Sequence, residues 1–124
     1  HMEDQNTQGG MRLSGKLIDA NGRVGTLTMA ISADNRASWV LHLAERDGPP
    51  VELKGELKLK IEGTKLQMKG SEKVQGKEVT WELDLTRHPA AAYAREAFVG
   101  QYSTTGGGNM LPLSSGVVVL WAFK

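Results

Sequence analysis

The chain has no cysteine, only 4 prolines in 124 residues, and no apolar run longer than a strand. Each absence removes a class of protein. Without thiols there is no disulfide framework, thiolate metal site or cysteine nucleophile, and the redox state of the compartment leaves no trace in the sequence. The longest apolar stretch, Val117 to Phe123, is far short of the roughly 20 residues of a bilayer-crossing helix, so a soluble chain without membrane insertion is expected. Charge nearly cancels, with 15 Lys and Arg against 14 Asp and Glu. A dedicated polyanion binder carries a large basic excess, so no nucleic-acid partner is expected.

Chemistry-bearing motifs are equally scarce. Of the 3 histidines, His1 reads with Met2 as the remnant of a tag, His42 falls on an outward strand face, and His88 precedes an alanine-rich stretch. Gly106-Gly-Gly108 lacks the Lys-Ser/Thr and the strand-to-helix setting of a phosphate loop and reads as a turn. Ser103, Ser114 and Ser115 have neither a nucleophile elbow nor a base beside them. No paired acid and base can be placed at one site, so neither an enzyme nor a cofactor or metal is expected. Residues 1–10 form a tag remnant and a polar, disordered tail, leaving 11–124 as one domain. Such a lead-in suits an exported bacterial protein slightly better than a cytosolic one with a loose start.

What the chain does have is a repeat. A glycine with apolar neighbours, then a leucine-bearing segment, then a tryptophan occurs three times at a period of about 40 residues. The first unit contains Leu13, Gly15, Leu17, Leu27, Met29, Trp39 and Leu41. The second contains Leu53, Gly55, Leu57, Leu66, Met68, Trp81 and Leu83, and the third Phe98, Gly100, Tyr102, Leu111, Leu113, Trp121 and Phe123. Within each unit apolar residues alternate with polar ones, as in a strand with one buried face. Trp81, Leu83 and Leu85 take one side, and Glu82, Asp84 and Thr86 the other. The alternating Lys and Glu from Glu52 to Glu78 read as a solvated face that resists aggregation. Hairpin turns are marked at Asp19-Ala-Asn-Gly22, Asp34-Asn35, Asp47-Gly-Pro-Pro50, Glu62-Gly63, Gln75-Gly76 and Gly106-Gly-Gly-Asn109.

These signals predict an all-β antiparallel meander of eight or nine strands closed into a small barrel, with a β-trefoil as the alternative suggested by the threefold repeat. Gly15, Gly55 and Gly100 fall on inward faces, with the tryptophans as their expected partners. Pro89 and the alanines after it predict one short helix over 89–98. The last strand is apolar on both sides. If Val117, Val119 and Trp121 face the core, then Val118 and Leu120 face outward and need a cover: the helix, the N-terminal tail, or a second copy of the chain in a homo-oligomer.

Phe98-Val-Gly100-Gln-Tyr102 followed by Gly116-Val-Val-Val-Leu-Trp121-Ala-Phe-Lys124, together with Gly76-Lys-Glu-Val-Thr-Trp81-Glu-Leu-Asp-Leu85, resembles the Gly-x-Tyr and Trp-bearing strands of avidin-like barrels in the calycin group. The likeness spans about a third of the chain. It implies a barrel that holds biotin between tryptophans and polar side chains, with Tyr102, Thr104, Trp81 and Trp121 standing for part of that set. The Asn/Ser pair of the first strand and the acid near the last have no counterpart here.

The expected function is a non-enzymatic binding module. In one form the barrel encloses a small apolar or amphipathic ligand, lined by Trp39, Trp81, Trp121, Tyr102, Met68 and Thr104. In a second the interior is solid and the surface binds a protein, as hydrolase-inhibitor barrels do, through the loops at 47–50 and 106–112. In a third the domain is structural and oligomerises through Val118 and Leu120.

Overall fold

The computed structural model describes residues 10–44, 51–89, 95–106 and 113–122. The alternation becomes eight strands, β1 Met11–Asp19, β2 Val24–Ile31, β3 Arg36–Leu43, β4 Val51–Glu62, β5 Lys65–Val74, β6 Lys77–His88, β7 Ala97–Gly106 and β8 Ser115–Ala122. Each strand pairs antiparallel with the next, and β1 pairs with β8, which closes the barrel. The β-trefoil alternative is not favoured, because strand order in the ring is strand order in the chain. The repeat maps onto this ring unevenly. Among the described residues units one and two each supply three strands, β1–β3 and β4–β6, whereas the third supplies β7 and β8.

The core is built by rows of inward residues facing one another across the ladders. Leu13 lies opposite Met29, and Met29 opposite Trp39; Leu66 lies opposite Leu85, and Met68 opposite Leu83. All of these are buried. Each large side chain taken fully out of water contributes about 1.5–3 kcal/mol, which is what holds a sheet of period two in register. The described turns use left-handed residues where the sequence placed them, with positive φ at Gly22, Asn35, Gly63, Gln75 and Gly76.

Three expectations need correction. No helix occurs among the described residues: Pro89, Arg95 and Glu96 lie outside any element, Ala97 and Phe98 open β7, and 90–94 lie outside the described residues. Ala97 and Phe98 are paired on both sides, with His88 and Arg87 of β6 and with Trp121 and Leu120 of β8. Those ladders and the burial of Phe98 outweigh the helical preference of the neighbouring alanines.

The phase of β8 is the reverse of that expected. Val118, Leu120 and Ala122 are buried inside the barrel, while Val117 and Trp121 are exposed. The pairing sets this phase. Among the described residues the third unit has no middle strand; β8 lies directly against β7, and Phe98 and Gly100 take Leu120 and Val118 as partners. Val118 and Leu120 are therefore core residues, unavailable as an interface. The glycine expectation holds only at Gly55, which lies opposite Trp39. At Gly15 and Gly100 a backbone comes close instead, since a Cβ would sit 1.8 Å from the carbonyl oxygen of Val119 or Asp84 respectively.

Candidate functional site

Four of the predicted ligand-lining residues do meet inside the barrel. The rings of Trp39 and Trp81 lie 4.9 Å apart at 60°, and Tyr102 lies 6.3 Å from Trp81. Met68 is buried beside Leu83 in the same core. The other two are placed elsewhere. Trp121 is 43% exposed on the outer wall, and the Thr104 hydroxyl is spent donating to the carbonyls of Leu113 and Ser114 at 3.1 and 3.3 Å. The polar and aromatic set implied by the avidin-like resemblance is thus not assembled around one space.

Around the two indoles the described core side chains pack closely. The void bounded by Leu17, Leu27, Met29, Trp39, Leu57 and Trp81 amounts to about 10 Å³, room for no more than roughly one water. The Trp39 and Trp81 indole N–H groups are buried without an acceptor among the described residues, and neither opens on that void, whose lining is wholly apolar. Leaving such a donor unsatisfied costs about 1–3 kcal/mol.

At one end of the barrel sits a buried carboxylate that sequence reasoning missed. Asp19, at the end of β1, accepts from the Tyr102 hydroxyl, from the Ser114 N–H at 2.9 Å and from the Asn21 N–H at 3.0 Å. Burial alone would raise its pKa. The hydrogen bonds from Tyr102 and from the Asn21, Ser114 and Ser115 backbone outweigh that and hold the carboxyl below its ordinary value. Burial, the hydrogen bond and the Asp19 charge together push the Tyr102 hydroxyl far above its ordinary value. The arrangement fastens the β1–β2 turn to β7 and to the segment entering β8. Parity carried the signal, since 13, 15, 17 and 19 all point inward.

A second inward acid marks a gap in the wall. The β4–β5 ladder runs only from Glu62↔Lys65 to Lys58↔Lys69, although β4 starts at Val51 and β5 continues to Val74. Past that rung the strands still touch at Gly70, where a Cβ would lie 2.2 Å from the Glu56 carbonyl oxygen, and from there on no rung joins them. Glu72, inward by the parity of Leu66 and Met68, lies across the split, and its carboxylate accepts from the Glu56 N–H at 2.8 Å. Gly55 makes this possible, because a Cβ there would come within 2.4 Å of the Glu72 carboxyl. Val51, Leu53 and Val74 are inward too but only half-buried. Outside the split lies a groove lined by Arg36, Glu56, Lys58, Lys69, Ser71 and Glu72.

The outer wall has two sectors. On β2, β1, β8 and β7 apolar outward residues stand among polar ones, with Val24 beside Ile18 and Ile18 beside Val117, but Val119 between Lys16 and Val99, and Trp121 between Ser14 and Ala97. On β4, β5 and β6 they are charged, among them Lys58, Lys69 and Glu82 in one row. The loops at 47–50 and 107–112 lie outside the described residues. No protein-family model, curated protein or solved structure matches the chain.

Proposed function

We propose that this barrel is a non-enzymatic binding module that acts on another protein through its outer surface. The close packing around Trp39 and Trp81 supports this reading. A void of about 10 Å³ is smaller by more than an order of magnitude than the roughly 300–1,000 Å³ of ordinary small-molecule sites. The surface, by contrast, is differentiated into a mixed sector with exposed Ile18, Val117 and Trp121, a charged sector and a split. Native mass spectrometry of freshly purified protein tests the reading. A bare subunit mass is expected; a small molecule retained in native conditions and lost on denaturation would overturn it.

A second reading, a barrel that holds a small apolar or amphipathic molecule, is favoured by the two unsatisfied indole N–H groups. A ligand with one acceptor oxygen would satisfy them, provided that core side chains moved to admit it. In that case Trp81→Ala would abolish retention of the molecule at a smaller cost in folding stability.

A further inference from the structure

We propose that the split between β4 and β5 is the docking site for an acidic, extended segment of a partner protein, which adds to the barrel as a further strand along the freed edge of β4. The proposal rests on the surface-acting reading and names both the surface and the chemistry of what it takes.

Backbone geometry gives the mode. In an antiparallel ladder a residue's N–H and C=O point to the same side, and the side alternates along the strand. The Glu56 N–H points across the split to Glu72. By that parity the N–H and C=O groups of Glu52 and Lys54 face the split as well, with no β5 residue paired opposite them. A row of such groups is a template for a strand. At Glu56 a side-chain oxygen already occupies the position that an incoming carbonyl would take.

Charge gives the chemistry. Lys54 and Lys58 on β4 and Lys69 and Lys73 on β5 point outward beside the split, and no ion pair or hydrogen bond holds them among the described residues. Among the nearby acids Glu52 is paired with His42 at 2.9 Å, Glu56 with Arg36 at 3.6 Å and Glu72 with the Glu56 N–H, while Glu82 and Glu78 lie opposite Lys69 and Lys73; Lys54 and Lys58, opposite Val40 and Arg36 on β3, are the lysines of the β4 edge with no acid across from them. Lys58 and Lys69 face each other on the last rung, and directly opposed like charges destabilise a ladder. An acidic side chain between them removes that repulsion. Val51, Leu53 and Val74, half-buried on the inward side, match the alternate positions of the added strand, so the segment that fits alternates acidic with apolar residues. A single-stranded nucleic acid is also anionic, but it lacks the hydrogen-bonding pattern of a strand, and no exposed aromatic side chain stands beside the split to stack a base.

The test uses a capped peptide of alternating Glu and Val as probe. Its comparators are the same peptide N-methylated at alternate amides, a Lys/Val counterpart and a single-stranded DNA oligonucleotide. The Glu/Val peptide is expected to bind and to slow hydrogen exchange at the Glu52 and Lys54 amides. Lys54→Gln with Lys58→Gln should weaken it about tenfold or more with no fall in thermal stability, and N-methylation should abolish binding. Failure of the peptide to bind overturns the proposal. So does equal binding of the N-methylated or Lys/Val peptide, or preferential binding of the oligonucleotide at the same lysines. If the native spectrum shows a bare subunit and the peptide fails, only this docking site falls; a retained small molecule overturns the surface-acting reading itself.

Discussion

A carboxylate taken out of water must be hydrogen-bonded on most of its lone pairs or it reverts to the protonated form. Asp19 meets that requirement with one hydroxyl and several N–H groups, so its charge is stabilising only while the barrel is folded. The pH dependence follows from the two shifts. The folded pKa of Asp19 lies below its reference value of 3.8; its contribution is complete above that value and is lost as pH falls through the folded pKa. Tyr102 is shifted upward, so the unfolded chain ionises first as pH rises past about 10, and stability falls on the alkaline side. Urea denaturation against pH should show a plateau with both limbs. Asp19→Asn is expected to flatten the acid limb and to lose about 1.5–3 kcal/mol on the plateau, while Tyr102→Phe removes the alkaline limb. Unchanged limbs in either variant would refute this account of the cluster. The tryptophans divide as sharply at this scale, since Trp39 and Trp81 are 5% and 3% exposed and Trp121 43%. Iodide should quench one component of the fluorescence, and Trp121→Phe should remove that component alone.

At the scale of the element, strands were legible wherever their two faces differ in polarity. Trp81-Glu-Leu-Asp-Leu85 can sit in a barrel only one way, and β6 does so. The stretch from Val117 to Ala122 gives no such instruction, because either phase buries apolar residues. The analogy with Trp39 and Trp81 then points Trp121 inward, yet the inward places of β8 are taken by Val118, Leu120 and Ala122. Register against Phe98 and Gly100 decides the phase, and register is a tertiary fact that a strand's own residues do not contain. The same limit applies to the β4–β5 split. Parity shows that Glu72 points inward, but only pairing shows that the ladder has ended beside it. Paired variants on β8 test the corrected phase. Val118→Lys places an unpaired charge in the core and should cost at least about 3 kcal/mol or prevent folding, whereas Val117→Lys on the outer wall should stay within about 0.5 kcal/mol of the parent. The opposite ranking in thermal or urea unfolding would restore the inward Trp121.

Over the whole molecule, the barrel depends on one seam more than on the others. Seven ladders join strands that are consecutive in the chain, while β1 and β8 must find each other from opposite ends of it. Closure of that seam is what leaves both strands without a free edge. Gly15 sits in the middle of it, opposite Leu120, and a Cβ there would come within 1.8 Å of the Val119 carbonyl oxygen and 2.9 Å of the Leu120 Cα. Neither atom belongs to a flexible side-chain tip, so the added methyl can be admitted only by moving one strand off the other. Gly15→Ala should therefore destabilise by at least about 3 kcal/mol. It should also convert a local clash into a global change, since parting β1 from β8 frees two edges beside the exposed Ile18, Val117 and Trp121. Gly63→Ala is the control: its Cβ meets nothing within 4 Å, and its φ of 61° carries only the roughly 1–2 kcal/mol of a left-handed non-glycine residue. Size-exclusion chromatography with urea denaturation separates the outcomes. Loss of the monodisperse species in Gly15→Ala, with its retention in Gly63→Ala, is the expected result. Equal stability of the two would mean that the barrel can shift its closing seam without cost.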